Sequence, residues 1–171
     1  MNENIDLNKL PSDVKKEFMK YALKLKEKKT KSKVHDDFLT FAKHVWPEFI
    51  EGKHHKIIAE KFNRLAKGEI KRLIINMPPR HTKSEFASNL LPAWMIGRKP
   101  NLKIIQTTHT TELAVRFGRK AKTLIDSPEY QQVFQTRLRE DSQAAGKWET
   151  EQGGEYYAAG VGSAITGRGA D

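Results

Sequence analysis

The chain has 171 residues, with 31 Lys and Arg against 21 Asp and Glu and a formal charge of +10, which favours an anionic partner such as nucleic acid but fits mere solubility as well. It has no cysteine, which excludes disulfides, thiolate metal sites and thiol nucleophiles. No apolar run approaches the roughly 20 residues of a membrane span, and the start "MNENIDLNKL" lacks the basic and apolar regions of a signal peptide, so a soluble cytoplasmic chain is expected.

Residues 1–35 are lysine-rich and poor in apolar residues. Ser12 can cap a helix through "DVKKEFMKYALKLKEKK", on which Val14, Phe18, Tyr21, Ala22 and Leu25 form a narrow stripe, before a linker "KTKSK". Its lysines fit a DNA-facing arm or a solvated amphipathic helix. A second helix is expected in "HDDFLTFAKHVW", from near Asp36 to Pro47, burying Phe38, Phe41, Ala42 and Val45. A third runs from about His54 to Lys67, with Ile57, Ile58, Phe62 and Leu65 apolar and Gly68 as its stop.

From residue 71 strands and helices alternate, the pattern of a mainly parallel sheet. "RLIINM" reads as a buried strand and "SEFASNLLPAWMIG" as a helix kinked at Pro92. "LKIIQTT" is a second strand, followed by a long helix capped by Thr110 and a short one from Ser127-Pro128-Glu129. "KWETEQGGEYYAAGVGSAI" reads as a strand pair around Gly153-Gly154. Trp148, Tyr156 and Tyr157 suit packing better than base stacking. On the long helix, Arg116, Arg119 and Lys120 share a face that can meet phosphate or stay solvated.

The stretch "NMPPRHTKSEF" joins an apolar strand to a helix and ends in Lys83-Ser84. In a P-loop, backbone amides and a helix N-terminus cradle phosphate, a lysine reaches the β- and γ-phosphates, and the next hydroxyl ligates Mg²⁺. That pattern has glycines where this chain has Thr82 and Met77. By residue types alone, a phosphate cradle and an ordinary strand-to-helix turn stand level.

"LIINMPPRHTKSEFAS" resembles the Walker A segment of the large terminase subunits of tailed bacteriophages, usually Pro-Pro-Arg-His-Gly-Lys-Ser after an apolar strand. "HHKIIAEKFNRLAKGEIKRL", "IIQTTHTTELAVRFGRKAK" and "GVGSAITGRGAD" continue the likeness in collinear order over residues 36–171. The resemblance implies an α/β fold, namely an incomplete RecA-like P-loop NTPase core with a mainly parallel sheet, preceded by N-terminal helices. It divides the chain into an arm and linker, 1–35, and the front of the ATPase domain, 36–171. It implies binding of ATP and Mg²⁺ by Pro79, Arg80, His81, Thr82, Lys83 and Ser84, with Ser84 on the metal and Arg80 near the γ-phosphate.

His54 and His55 stand where such ATPases contact adenine, and His55 is the candidate for that contact. Arg168 in "TGRG" is a candidate arginine finger for a neighbouring subunit, beside the alternatives of a DNA contact or a plain loop arginine. The implied activity is ATP-driven packaging of double-stranded DNA into a procapsid. The implied partners are DNA, a portal protein, a small terminase subunit and further copies of the chain.

The family's acidic Walker B strand follows the "GRGAD" segment, and this sequence ends at Asp171, so a complementing C-terminal chain and low stability in isolation are also expected. A non-catalytic nucleic-acid-binding fragment and a helicase-like ATPase are the alternatives.

Overall fold

The structure, a computed structural model, describes residues 11–171. Helix α1 spans Ser12–Asp36 with Pro11 at its N-cap, so the expected linker "KTKSK" is helical and continues the arm without a break. Lysine is a good helix former, and the Thr30 hydroxyl donates back to the Lys26 carbonyl at 2.9 Å without interrupting the helix. Val14, Phe18, Tyr21 and Leu25 of the apolar stripe remain exposed, and only Val34 in the last turns is buried. That end is fastened by Trp94, whose indole N–H points at the carbonyls of Val34 and His35 at 3.3 and 3.1 Å.

Helix α2 spans Phe38–Val45 and α3 Lys53–Ala66. Asp37 caps α2 by accepting from the Thr40 amide at 2.8 Å and its hydroxyl at 2.6 Å. Asn63 on α3 donates to Asp37 and accepts from the Phe38 amide, each at 2.8 Å, which locks the two helices in register. Gly68, at φ 75°, reverses the chain after α3 as its position predicts.

Residues 71–77 are extended, with Leu73, Ile75 and Met77 packed against the core and Ile74 86% exposed. The expected strand is therefore present only as a period-two side-chain pattern. No strand lies beside it among the described residues, so it has no ladder. After the loop 78–84 the chain makes a π-helical turn, Glu85–Leu90, and then α4, Leu91–Arg98. Pro92 has no N–H for the Ser88 carbonyl, a sufficient reason for the ladder to widen just before it.

Four strands follow: β1 Lys103–Thr108, β2 Leu138–Ala144, β3 Lys147–Thr150 and β4 Glu155–Gly160. Between β1 and β2 lie α5, Thr111–Ile125, capped by Thr110 as expected, and the short α6, Pro128–Gln131, which starts after Ser127 as expected but ends before the rest of the expected run "YQQVFQ". The sheet order is β1-β4-β3-β2, with β1 and β4 parallel and the other two pairs antiparallel. The expectation of a mainly parallel sheet is thus corrected to a mixed one. Its cause is connection length: β2 to β3 and β3 to β4 are joined by tight turns that force antiparallel pairing, and only the helical crossover returns β4 beside β1 in parallel.

Strand β2 was not expected because its centre, Arg139-Glu140-Asp141, is charged and exposed. It is an edge strand, and outward charges are how edges are kept from further pairing. Trp148 and Tyr156 are opposite one another in the β3–β4 register and stack at 4.7 Å, both fully buried. They are core residues, as expected. Helix α5 crosses close to this pair at Gly118, whose carbonyl accepts from the Trp148 indole at 3.1 Å.

The helical layer has its own centre at Phe38, which meets Phe62, Phe86 and Trp94 edge-on at 4.9, 5.3 and 5.5 Å. Phe86 belongs to the turn just after Lys83-Ser84, so the core reaches directly beneath the candidate loop.

Candidate functional site

The loop 78–84 leaves the extended segment through Pro78-Pro79 and enters the helix at Lys83. Two of its residues have left-handed backbones, Arg80 at φ 63° and Thr82 at φ 60°, and neither is glycine. A β-branched residue there is a true steric outlier, with a cost on the order of 1–3 kcal/mol. The position before Lys83 thus has the backbone a glycine would give, and threonine is held in it.

The first helical hydrogen bond here runs from the Phe86 amide to the Thr82 carbonyl at 3.0 Å. The amides of Lys83, Ser84 and Glu85 precede it and are the donors a helix start leaves without an intrahelical acceptor. Ser84 is exposed and makes no side-chain capping bond. Lys83 is exposed, and its ammonium folds back over the loop toward the Met77 carbonyl at 3.4 Å. Arg80 is exposed and has no hydrogen bond or ion pair among the described residues. His81 Nδ1 donates to the Pro79 carbonyl at 2.9 Å, tightening the turn from within.

His55 reaches the loop from below. Its Nδ1 accepts from the Gly52 amide at 2.8 Å, which caps the start of α3, and its Nε2 lies 2.6 Å from the Thr82 hydroxyl. The imidazole is 5% exposed, set between the rings of Phe49 and Phe86 at 4.7 and 5.0 Å. Burial, with His54 and His81 nearby, holds it below its ordinary pKa against the opposing pull of Glu51. Its ring therefore faces the loop's own backbone turn, while the His54 ring lies beside it, tilted by 47° with 3.8 Å between ring centres.

Electrostatics around the loop are mixed. Glu85, in the first helical turn, is paired with Lys120 of α5 and accepts from Asn89 at 3.1 Å. Sequence reasoning grouped Lys120 with Arg116 and Arg119. The structure separates them, with Lys120 turned to Glu85 and the two arginines on the exposed side of α5. Glu85 was missed, although its place directly after Lys83-Ser84 was the signal.

Arg168 is held elsewhere. Its guanidinium donates to Glu155 at 2.8 Å and lies 3.8 Å over the Tyr157 ring. Glu155 opens β4 opposite Lys103, at the N-terminal end of the parallel pair. No bond joins Arg168 to residues 78–84 among the described residues.

The loop and His55 thus form one cluster, with Lys83, Ser84 and Arg80 on its open side. Among the described residues no group of three His, Cys, Asp or Glu side chains converges to hold a metal ion. No family model matches the chain, and no curated protein or solved structure matches it. No described helix is long and apolar enough to cross a membrane.

Proposed function

We propose that residues 78–84 form a phosphate cradle, and that the chain is the nucleotide-binding front of a terminase-type ATPase that packages double-stranded DNA. The observation that carries this reading is the loop's backbone. Two non-glycine residues are kept left-handed between an extended apolar segment and a helix start, and strain of that kind clusters at ligand clamps. Three first-turn amides, the exposed Lys83 ammonium and the exposed Arg80 guanidinium supply positive charge along the same loop.

In this reading the amides of Lys83, Ser84 and Glu85 bind phosphate oxygens. Lys83 leaves the Met77 carbonyl, a weak partner at 3.4 Å, for the β- and γ-phosphates. Arg80 neutralises charge on the terminal phosphate. Ser84 would hold Mg²⁺ through its hydroxyl, which no capping bond occupies. Held there, a divalent cation would supply neutralisation of phosphate charge.

Hydrolysis also needs a carboxylate at the metal. Glu85 is the acid of the loop's own helix, and Lys120 engages it. A complementing segment is therefore part of the proposal. Among the described residues no strand pairs with the outer edge of β1 beyond Lys103, whose carbonyl accepts from the Asp171 amide at 3.1 Å and whose amide donates to the Asp171 carboxylate at 2.9 Å. Beside that edge lies a groove of about 630 Å³ lined by Ile70, Ala87, Leu91, Leu102 and Ile104, with Ala170 and Asp171 at its border. Double-stranded DNA, a portal ring, a small terminase subunit and further copies of the chain are the remaining partners this reading implies, with the lysines of α1 available to DNA phosphates.

Titration with ATP and Mg²⁺, beside Lys83→Ala, tests the cradle. Binding that weakens at least tenfold in the variant is expected. Equal binding by both proteins, or by neither, rejects it.

A further inference from the structure

Resting on the phosphate-cradle reading, we propose that His55 is a positioning residue that holds Thr82 in the left-handed backbone region, so that the loop stays open to phosphate without a glycine.

The hydrogen bonds fix the direction of every proton. His55 Nδ1 accepts from the Gly52 amide at 2.8 Å, so in the neutral ring the proton is on Nε2. Nε2–H then donates to the Thr82 hydroxyl at 2.6 Å, and that hydroxyl donates to the His81 carbonyl at 2.6 Å. Each atom in the chain from Gly52 to His81 has one role and fills it. The Thr82 side chain is thereby held from both sides in a backbone region that its branched Cβ disfavours. Phe49 and Phe86 pack on the imidazole and prevent it from swinging away.

The same arrangement makes the loop sensitive to acid. A second proton on His55 can go only to Nδ1, where it meets the Gly52 N–H and breaks the cap of α3. The titratable groups around the ring are Glu51 in the preceding turn, His54 beside it and His81 in the loop, and Lys43 and Lys56 both pair with Glu51. The neutral ring is the form that positions Thr82. Its folded pKa lies below the unfolded value near 6.5, so the lock is complete above that pH and is lost as pH falls from there through the folded pKa.

Nucleotide titration of four single or paired variants tests the assignment. Thr82→Val keeps the branched side chain and leaves α3 untouched but removes the hydroxyl, and it should weaken binding about tenfold, the worth of one well-made hydrogen bond. His55→Ala should do the same. Thr82→Gly should bind at least as well as the native chain, and His55→Ala in the Thr82→Gly background should lie within about twofold of Thr82→Gly alone. A loss from His55→Ala of equal size in both backgrounds would mean that the imidazole only fills space, and would overturn the proposal.

Two further readouts separate this from the parent reading. Lowering the pH from 7.5 through the folded pKa of His55, located by NMR titration of its ring, should weaken binding more in the native chain than in Thr82→Gly, and identical pH profiles across that range count against the lock. If the native chain binds no nucleotide, the phosphate reading fails by itself. The lock is then judged on amide hydrogen exchange in the ligand-free protein. Exchange at residues 81–84 should rise at least tenfold in Thr82→Val while the interior of α3 stays protected, and unchanged exchange there overturns it.

Discussion

Removing the Asp37 carboxylate would test the frame that presents α3, and with it His55, to the loop. The group serves two helices at once. It accepts from the Thr40 amide and hydroxyl at the start of α2, and from Asn63 of α3. Loss of an N-cap side chain costs about 0.5–2 kcal/mol, and a hydrogen bond to a charged acceptor contributes about 1.5–3 kcal/mol. The carboxylate is only half-buried, so solvent recovers part of this and Asp37→Ala should cost about 2–3 kcal/mol. In a chain of this size that lowers Tm by about 5–10 °C.

The pH dependence has a definite sign. Burial pushes the Asp37 carboxyl up, but hydrogen bonds from Thr40 and Asn63, with Lys43 nearby, outweigh it and hold the pKa below the ordinary value. A depressed folded pKa means stability that is present above the unfolded value of about 3.9 and is lost as pH falls through the folded one. Thermal melts of Asp37→Ala and the native chain should therefore differ most at pH 7, with a gap that narrows progressively as pH falls below about 3.9. Asp37→Asn, an equally good cap without the charge, should fall between them. A Tm gap under about 2 °C at pH 7, or one that does not narrow in acid, would refute the assignment of charge and cap to the same carboxylate.

Glu85→Gln removes a negative charge from the first turn below the cradle and frees Lys120, so ATP affinity measured by titration should rise several-fold; no change would place phosphate elsewhere. Gly118→Ala would put a methyl 2.5 Å from the Ala145 carbonyl oxygen, where α5 crosses the sheet, and chemical denaturation should show a loss of about 1–3 kcal/mol. Arg168→Ala removes a pair with Glu155 and a contact with the Tyr157 ring, each partly exposed, so stability should fall by about 1 kcal/mol or less and ATP affinity should not move. A loss of affinity in that variant would show that Arg168 reaches the loop.

Much of the helical framework was legible in the sequence because its signals are local. Asp36-Asp37 before an apolar run, Gly68 after one, and Thr110 and Ser127 ahead of helices mark ends by chemistry that acts within three or four residues. The β3–β4 hairpin was legible for the same reason, with Gly153-Gly154 between two runs of strand-forming residues. What failed depends on neighbours distant in sequence. Alternation in "RLIINM" predicts an extended chain but cannot say whether a ladder partner exists, and here none lies beside it among the described residues. Strand β2 was hidden because its charged centre faces water and only its pairing with β3 makes it a strand. The sheet's direction followed from which strands the tight turns join, which alternation of element types does not reveal.

The candidate loop shows the same division at the scale of one residue. Lys83 and Ser84 were legible as residue types in order, whereas the role of His55 depends on a partner 27 positions away. A glycine requirement is a statement about backbone conformation, namely that φ near +60° should not cost steric energy. Thr82 reaches that φ, so the requirement is met in geometry though not in residue type. The price is an energy of about 1–3 kcal/mol, and hydrogen bonds to the Thr82 hydroxyl from a fixed imidazole and to the preceding carbonyl are worth about as much. The departure at position 82 and the burial of His55 are therefore one feature. On the proposal made above, Thr82 needs the imidazole beneath it, and a glycine at position 82 would not.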